Sequence, residues 1–336
     1  METGEEQTVG TAKSEARYVF GPVFSRRLGQ SLGIDPVPAK TCNWNCVYCQ
    51  LGRTMPLRSE RAEYSNSEDI LREAEAALSR SAVGTIDWVT LVGSGETLLH
   101  SRVGWMIQRL KKITDLPLAV ITNGSLLSDP GVRKELLLAD AVLPSLDAGT
   151  PGLFKRINRP HPGITFHQHV KGLEAFGREY RGKLLIEVML IKGVNDTEKA
   201  LSDLAAVMDQ INPDGIHLSR PDRPPAEPWV CPTDEEGFTR ALSALGSVAQ
   251  ILHPAESVLR LEGPAHALET LLAVLGRHPL SDAQLQRALA HWPPEDASAF
   301  LASLEGSSRI KKTLRHGESF WVSSEAAFPS SPSDHS

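Results

Sequence analysis

Three of the chain's four cysteines, Cys42, Cys46 and Cys49, fall within eight consecutive residues in a C-x3-C-x2-C pattern, with Tyr48 just before the last. Three thiolates this close on one loop suit three irons of a cubane iron–sulfur cluster and leave the fourth iron without a protein ligand. Such an open iron binds a small molecule, as the open position of a catalytic zinc does. A disulfide framework would spread an even set of cysteines along a short secreted chain, and this chain of 336 residues is not short. The competing arrangement is a structural zinc site, or a ferredoxin-type cluster completed by Cys231 or a histidine. Zinc sites favour paired C-x2-C units and ferredoxins favour C-x2-C-x2-C, so the spacing favours the open cubane.

Around this loop, strand-like and helix-like segments alternate. Strands are expected at 32–37, 86–92, 118–122, 141–145, 184–191 and 215–219. Helices are expected at 69–78, 103–113, 132–138, 166–176 and 199–211, with another starting at Thr233. Ser67 is the expected N-cap of the first helix, and Thr233 with Glu236 the expected capping box of the last. Continuous apolar strands in repeated β-α units call for a parallel sheet covered by helices. Six strands fit a partial (β/α)6 barrel of the α/β class over residues 18–254. Beyond it the pattern changes to helices at 267–275, 282–290 behind Ser281, and 296–304. A hairpin at 310–314 and 320–322, turning at His316 and Gly317, completes a winged-helix-like α+β domain over 255–325. Residues 1–17 and 326–336 lack apolar periodicity and read as disordered.

A net charge of −6 provides no global basic field for nucleic acid or a membrane surface. No apolar run approaches the roughly 20 residues of a membrane span. The acidic first 17 residues exclude an ordinary signal peptide, so a cytoplasmic protein is expected. Over 261–325, six basic residues stand against eight acidic ones. Arg309, Lys311, Lys312 and Arg315 nevertheless form a local patch on the expected wing, which leaves RNA contact or docking of a protein partner open for this domain.

A second motif follows the strand at 86–92: Gly93, Ser94, Gly95, Glu96 and Thr97. Small residues at a strand's C-terminal end let backbone approach a ligand, and a carboxylate there can receive an ammonium. Active sites of α/β barrels gather at such ends. Together with the cysteine loop, this segment resembles the radical S-adenosylmethionine (SAM) superfamily over about residues 20–225. The resemblance implies a [4Fe–4S] cluster on Cys42, Cys46 and Cys49, with SAM on the open iron and Tyr48 beside its adenine. It implies recognition of the SAM amino group by Gly93, Gly95, Glu96 and Thr97, and of its ribose or carboxylate by Asn123 and Ser145. It further implies reductive cleavage of SAM to methionine and a 5′-deoxyadenosyl radical that takes a hydrogen atom from substrate, with a flavodoxin or ferredoxin as reductant. Residues 21–53, with Asn158, Arg159, Pro160, His161 and the run Arg223, Pro224, Pro225, resemble the branch nearest the wyosine tRNA-modifying synthases. No cysteine precedes Cys42, so the second cluster of those enzymes is missing.

Asn158, Arg159, Asn195 and Arg223 follow strands and are the substrate-side candidates; Asn195 to Thr197 also suit helix capping. Arg26 and Arg27 suit either an anionic ligand or a solvated turn, and Glu187 is a weaker candidate. Cys231 reads as an inert, partly buried thiol, and His167 and His169 receive no role. The expected function is hydrogen abstraction from an unidentified substrate, with an RNA nucleoside as one candidate. The competing function is an iron–sulfur redox or oxygen sensor acting through a winged-helix DNA-binding domain.

Overall fold

The computed structural model describes residues 18–253, 259, 261 and 263–329. β1 (Val19–Ser25) and β2 (Gly29–Ile34) pair antiparallel at one edge of the main sheet. The chain then alternates through α1 (Ser67–Arg80), β3 (Trp88–Val92), α2 (Val103–Ile113), β4 (Leu118–Thr122), α3 (Pro130–Leu136) and β5 (Ala141–Pro144). It continues with α4 (Pro151–Ile157), α5 (Phe166–Glu179), β6 (Lys183–Met189), α6 (Glu198–Ile211), β7 (Gly215–Ser219), α7 (Glu235–Leu245) and β8 (Ala249–Ile251). Spatial order equals chain order from β1 to β8, and every pairing after the first is parallel. This is a mostly parallel α/β sheet that curves as a partial barrel.

The period-2 alternation of strands decides what each face carries. Val89, Leu91, Leu118, Val120, Val142, Ile186, Val188, Ile216 and Leu218 point outward into one core with the helices. The intervening residues, among them Ser31, Thr90, Ile121, Glu187, Met189 and Ser219, face inward and line a cavity. Ser31 and Thr90, both buried, share a hydrogen bond of 2.6 Å across β2 and β3. The outer face therefore holds the fold together while the inner face keeps polar groups at the strand ends.

The sheet has two more strands than the six expected. β1 is antiparallel and leaves Val23 and Phe24 exposed, so it lacks the buried alternation that marks the others. β8 is only three residues long. Two caps also differ. Asn66, not Ser67, caps α1 by accepting from the amides of Glu68 and Asp69, each at 3.0 Å, while the Ser67 hydroxyl turns to Glu63. Asp234 caps α7 through the Gly237 amide at 3.0 Å, and Thr233 instead donates to Asp196 at 2.7 Å.

The C-terminal region holds α8 (Pro264–Leu275), β9 (Leu280–Ser281), α9 (Asp282–Leu289), α10 (Pro294–Glu305), β10 (Ile310–Arg315) and β11 (Glu318–Ser323). The three strands form a small antiparallel sheet in the order β10-β11-β9. Leu271, Leu285, Leu289, Trp292, Phe300, Ile310 and Trp321 give the region its own core. The expected wing patch is consumed internally. Arg309 pairs with Glu269 and Lys312 with Glu305, Lys311 donates to the carbonyls of Ser324 and Ala326, and buried Arg315 reaches the Pro329 carbonyl. The tail expected to be disordered from 326 is held at its start: Ala327 bridges to Gly52, and its carbonyl accepts from the Arg53 amide at 2.8 Å. Residues 1–17 and 330–336 lie outside the described residues. No helix among the described residues is long and apolar enough to cross a membrane.

Candidate functional site

The inner face of the sheet opens into a cavity of about 2120 Å³ at the C-terminal ends of β2 to β7. A single small-molecule pocket usually occupies about 300–1,000 Å³, so this one holds more than one group. Cys42, Cys46, Tyr48, Cys49, Gly93, Gly95, Glu96, Asn123, Ser145 and Arg223 all line it. Arg277, His278 and Arg287 of the C-terminal region complete the wall.

The cysteine loop is held by a neighbour distant in sequence. Asn45 N donates to the carbonyls of Asn158 and Arg159 at 3.1 and 3.2 Å, Val47 N to that of Ile157 at 2.9 Å, and His161 N to that of Asn43 at 2.8 Å. The stretch 158–161 thus clamps the cysteine loop. Asn158 is fully buried and its amide contacts Cys46 Sγ at 3.7 Å. Arg159 pairs with Glu227, which also holds Arg53. Neither Asn158 nor Arg159 lines the cavity.

Each thiol meets a different donor. Cys42 Sγ accepts from Trp44 N at 3.4 Å and Cys49 Sγ from Lys40 Nζ at 3.2 Å. Burial pushes the Cys42 thiol up to about 12, with Glu96 adding repulsion. Burial likewise lifts Cys46 well above its ordinary value, aided by Cys42 and Asp147. Thiols so placed ionise only beside a strong positive charge, which is what a cluster iron supplies. Among the described residues no three His, Cys, Asp or Glu side chains converge on one metal ion. Cubane ligands bind separate irons and need no such convergence.

Glu96 follows β3 and is 1% exposed. Its carboxylate accepts from Leu98 N at 2.9 Å, Thr122 Oγ1 at 2.5 Å and Asn123 N at 2.6 Å. Two carboxylate oxygens offer about four acceptor positions, so one remains for a ligand. Burial raises its pKa while these donors pull it back. Thr97 departs from expectation. It does not line the cavity, because its hydroxyl takes the Gly93 amide at 3.0 Å and donates to Ile121 O at 2.8 Å. Asn195 departs likewise: it is buried, with its amide on the carbonyls of Asp147 and Met189 and its oxygen on Ile191 N. Thr197, not Asn195, caps α6. Cys231 is exposed, against the expected partial burial.

Sequence reasoning gave no role to several contributors. Asp147, 1% exposed, accepts from Tyr48 Oη and Asn158 Nδ2, each at 2.6 Å, and from Met189 N at 2.8 Å, so it fixes the aromatic of the cysteine motif. An acid three residues past a fully buried strand was the available signal. Asn43 bridges Asn123 and Ser125 at 2.7 and 2.8 Å. His169 is buried against Trp44 and Phe154 and contacts Ser145 O at 3.1 Å.

Residues 37–205 match the Radical SAM superfamily. A protein described as GTPase Obg from Brachyspira hyodysenteriae is 43% identical over 207 residues, 62% of this chain, although the chain spans only 30% of that relative's length. A UPF0026 protein of Methanocaldococcus jannaschii is 32% identical over 275 residues, 80% of this chain and 85% of the relative. A radical SAM methyltransferase from Sphaerobacter thermophilus shares the fold at a TM-score of 0.50 and 18% identity, covering 66% of each chain.

Proposed function

Because this chain belongs to the radical SAM superfamily, whose [4Fe–4S] cluster and SAM are its cofactors, we propose that it is an enzyme that abstracts hydrogen from a substrate bound in the outer part of its cavity. The observation that carries this reading is one continuous cavity lined by all three clustered cysteines, the Gly95–Glu96 turn, and the arginines of the β1–β2 turn and of the segment after β7. Cluster and SAM together supply reductive cleavage of the sulfonium to methionine and a 5′-deoxyadenosyl radical.

The protein's own part is placement and shielding. Cys42, Cys46 and Cys49 hold the cluster, and the 158–161 clamp keeps their loop in register. Glu96, pinned by three donors, offers its remaining acceptor position to the SAM ammonium, and the Gly95 backbone lets that end come close. Asp147 orients Tyr48 toward the adenine side. The C-terminal region walls part of the cavity through Arg277, His278 and Arg287, which reduces the access of water to a site where a radical would otherwise be quenched. The reductant is a flavodoxin or ferredoxin.

An RNA nucleoside fits this reading only if the cavity itself grips it, since the wing cations are already engaged. The same engagement weighs against the sensor reading, which needs a free basic face for DNA. The test is anaerobic reconstitution, reduction with dithionite, and assay of SAM cleavage to 5′-deoxyadenosine with Cys46→Ala as control. Cleavage that vanishes in the variant is expected. A reducible cluster whose electron paramagnetic resonance spectrum ignores SAM, with no 5′-deoxyadenosine formed, refutes the enzyme.

A further inference from the structure

Seven arginines and no lysine line the cavity, in a chain whose net charge is −6. Most are matched. Arg27 forms a two-pronged pair with Glu187, Arg309 pairs with Glu269 at 2.7 Å, and Arg277 meets Asp35 at 3.4 Å. Arg26 and Arg220 share Asp222, at 2.8 and 3.5 Å.

Arg223 is different. Its Nη1 donates to Gln50 Oε1 and His278 Nδ1, each at 2.8 Å, and no carboxylate bonds to it. Gln50 Nε2 also donates to His278 Nδ1, so that nitrogen is an acceptor and the ring is uncharged. Burial and the nearby Arg26 and Arg27 push Arg223 down to about 10 against the pull of Asp222, which leaves it protonated at neutral pH. Its Nε and Nη2 bond to no protein group among the described residues. On α9, Arg287 is exposed and also without an ion pair among the described residues. The one carboxylate that acts on Arg223, Asp222, makes no hydrogen bond to it and is already shared by Arg26 and Arg220, so a desolvated guanidinium with so little counter-charge gains from an anion in the cavity.

We propose that the outer part of the cavity is a phosphate subsite, in which Arg223 takes a phosphoryl group of the substrate with the free edge of its guanidinium and Arg287 adds charge from the C-terminal region. The substrate is therefore a phosphate ester, an identification that rests on the enzyme reading above. A planar guanidinium edge matches two phosphate oxygens at once. Two unmatched arginines suit the double charge of a phosphate better than the single charge of a carboxylate. Gln50, which positions Arg223, directly follows Cys49, so a substrate anchored here extends into the cluster end of the cavity.

The test is calorimetric titration of the reconstituted protein with SAM present, using pyrophosphate, a nucleoside 5′-monophosphate, a short single-stranded RNA and malonate as probes. Saturable binding of pyrophosphate is expected, weakened about tenfold or more in Arg223→Gln and in Arg287→Gln. The exposed Arg287 variant keeps the test valid where the Arg223 variant misfolds. Tighter binding of the mononucleotide than of pyrophosphate identifies a free nucleotide, and tighter binding of the RNA identifies a polynucleotide; both support the subsite. Failure to bind any phosphate, binding unchanged in both variants, or malonate binding as tightly as pyrophosphate overturns it. SAM cleavage by the wild-type protein is scored separately. Cleavage without phosphate binding removes only the subsite, and phosphate binding without cleavage removes only the enzyme reading.

Discussion

Gly95 is irreplaceable for steric reasons, and the cost of replacing it follows from the distances. A Cβ there would stand 2.0 Å from the Thr41 carbonyl oxygen, 2.6 Å from its carbon and 3.0 Å from its nitrogen. All three are backbone atoms of the residue before Cys42. Neither segment can slide freely, because Glu96 N donates to Thr41 O and Lys40 N to Ser94 O, both at 2.8 Å. Relieving the overlap in Gly95→Ala breaks this pair, at about 1 kcal/mol each. Overpacking adds about 1–3 kcal/mol. The expected loss is about 3–5 kcal/mol, with the cysteine loop displaced. Gly93→Ala provides the contrast: the only close approach of its Cβ is to the Cγ2 tip of Val37, at 2.8 Å, with the Gly95 backbone at an ordinary 3.4 Å, and a small side-chain shift relieves it for about 1 kcal/mol. Urea unfolding of the apo-protein and iron content after reconstitution read both effects. A Gly95→Ala protein that unfolds within about 0.5 kcal/mol of wild type and loads iron equally would refute the reasoning.

Three further outcomes are expected. Burial holds His169 at about 4 in the folded chain against 6.5 unfolded, so its contribution is full above 6.5 and fades as pH falls toward 4. Apo-protein stability relative to His169→Phe should drop by about 3 kcal/mol across that window in urea titrations, and parallel pH curves would contradict it. Exposed Cys231 stands outside the cavity lining; Cys231→Ser should keep the wild-type iron content and change stability by less than about 0.5 kcal/mol, and iron loss would make it a ligand. Deleting residues 325–336 removes the Ala327 pairing with Gly52 and Arg53, so unfolding should become easier by about 1–2 kcal/mol and the cluster should bleach faster in air. Unchanged bleaching would show that this pairing does not protect the loop.

What the sequence disclosed was local. The thiol spacing and the 93–96 turn are contiguous, so their chemistry survives in one dimension. The outward-facing apolar positions of β3 to β7 carry enough hydrophobic run to mark strands. β1 and β8 carry none, being an exposed edge and a three-residue stub. The placements that the sequence does not display share one cause. Asn158 and Arg159 follow α4, a helix the sequence reading did not expect, and their partners lie in the cysteine loop more than a hundred positions upstream, in Asp147 and in Glu227. Asp147 is visible as a strand-end acid, but its role comes from Tyr48, 99 positions away. Residues whose role is to hold another residue become visible only when the chain has closed on itself.

The same logic explains why the C-terminal region looked like a separate module. Its core is complete, and its helices and hairpin are all locally encoded. Its attachment, however, runs through both loops that frame the site. Gln50, next to Cys49, donates to the Arg277 carbonyl and to His278 at 3.0 Å each. Asp35 accepts from Ser94 N and Oγ at 3.0 and 2.5 Å, beside Gly95, and reaches Arg277 at 3.4 Å. The Arg277 guanidinium also lies over the Phe20 ring, 4.8 Å from its centre. Lifting the region away would strip partners from the cysteine loop and from the glycine turn at once, leaving Asp35 buried without its counter-charge. Those losses fall on the end of the barrel that carries the cysteines, and the region supplies part of the cavity wall there. Its seating and the order of the two loops must then rise and fall together.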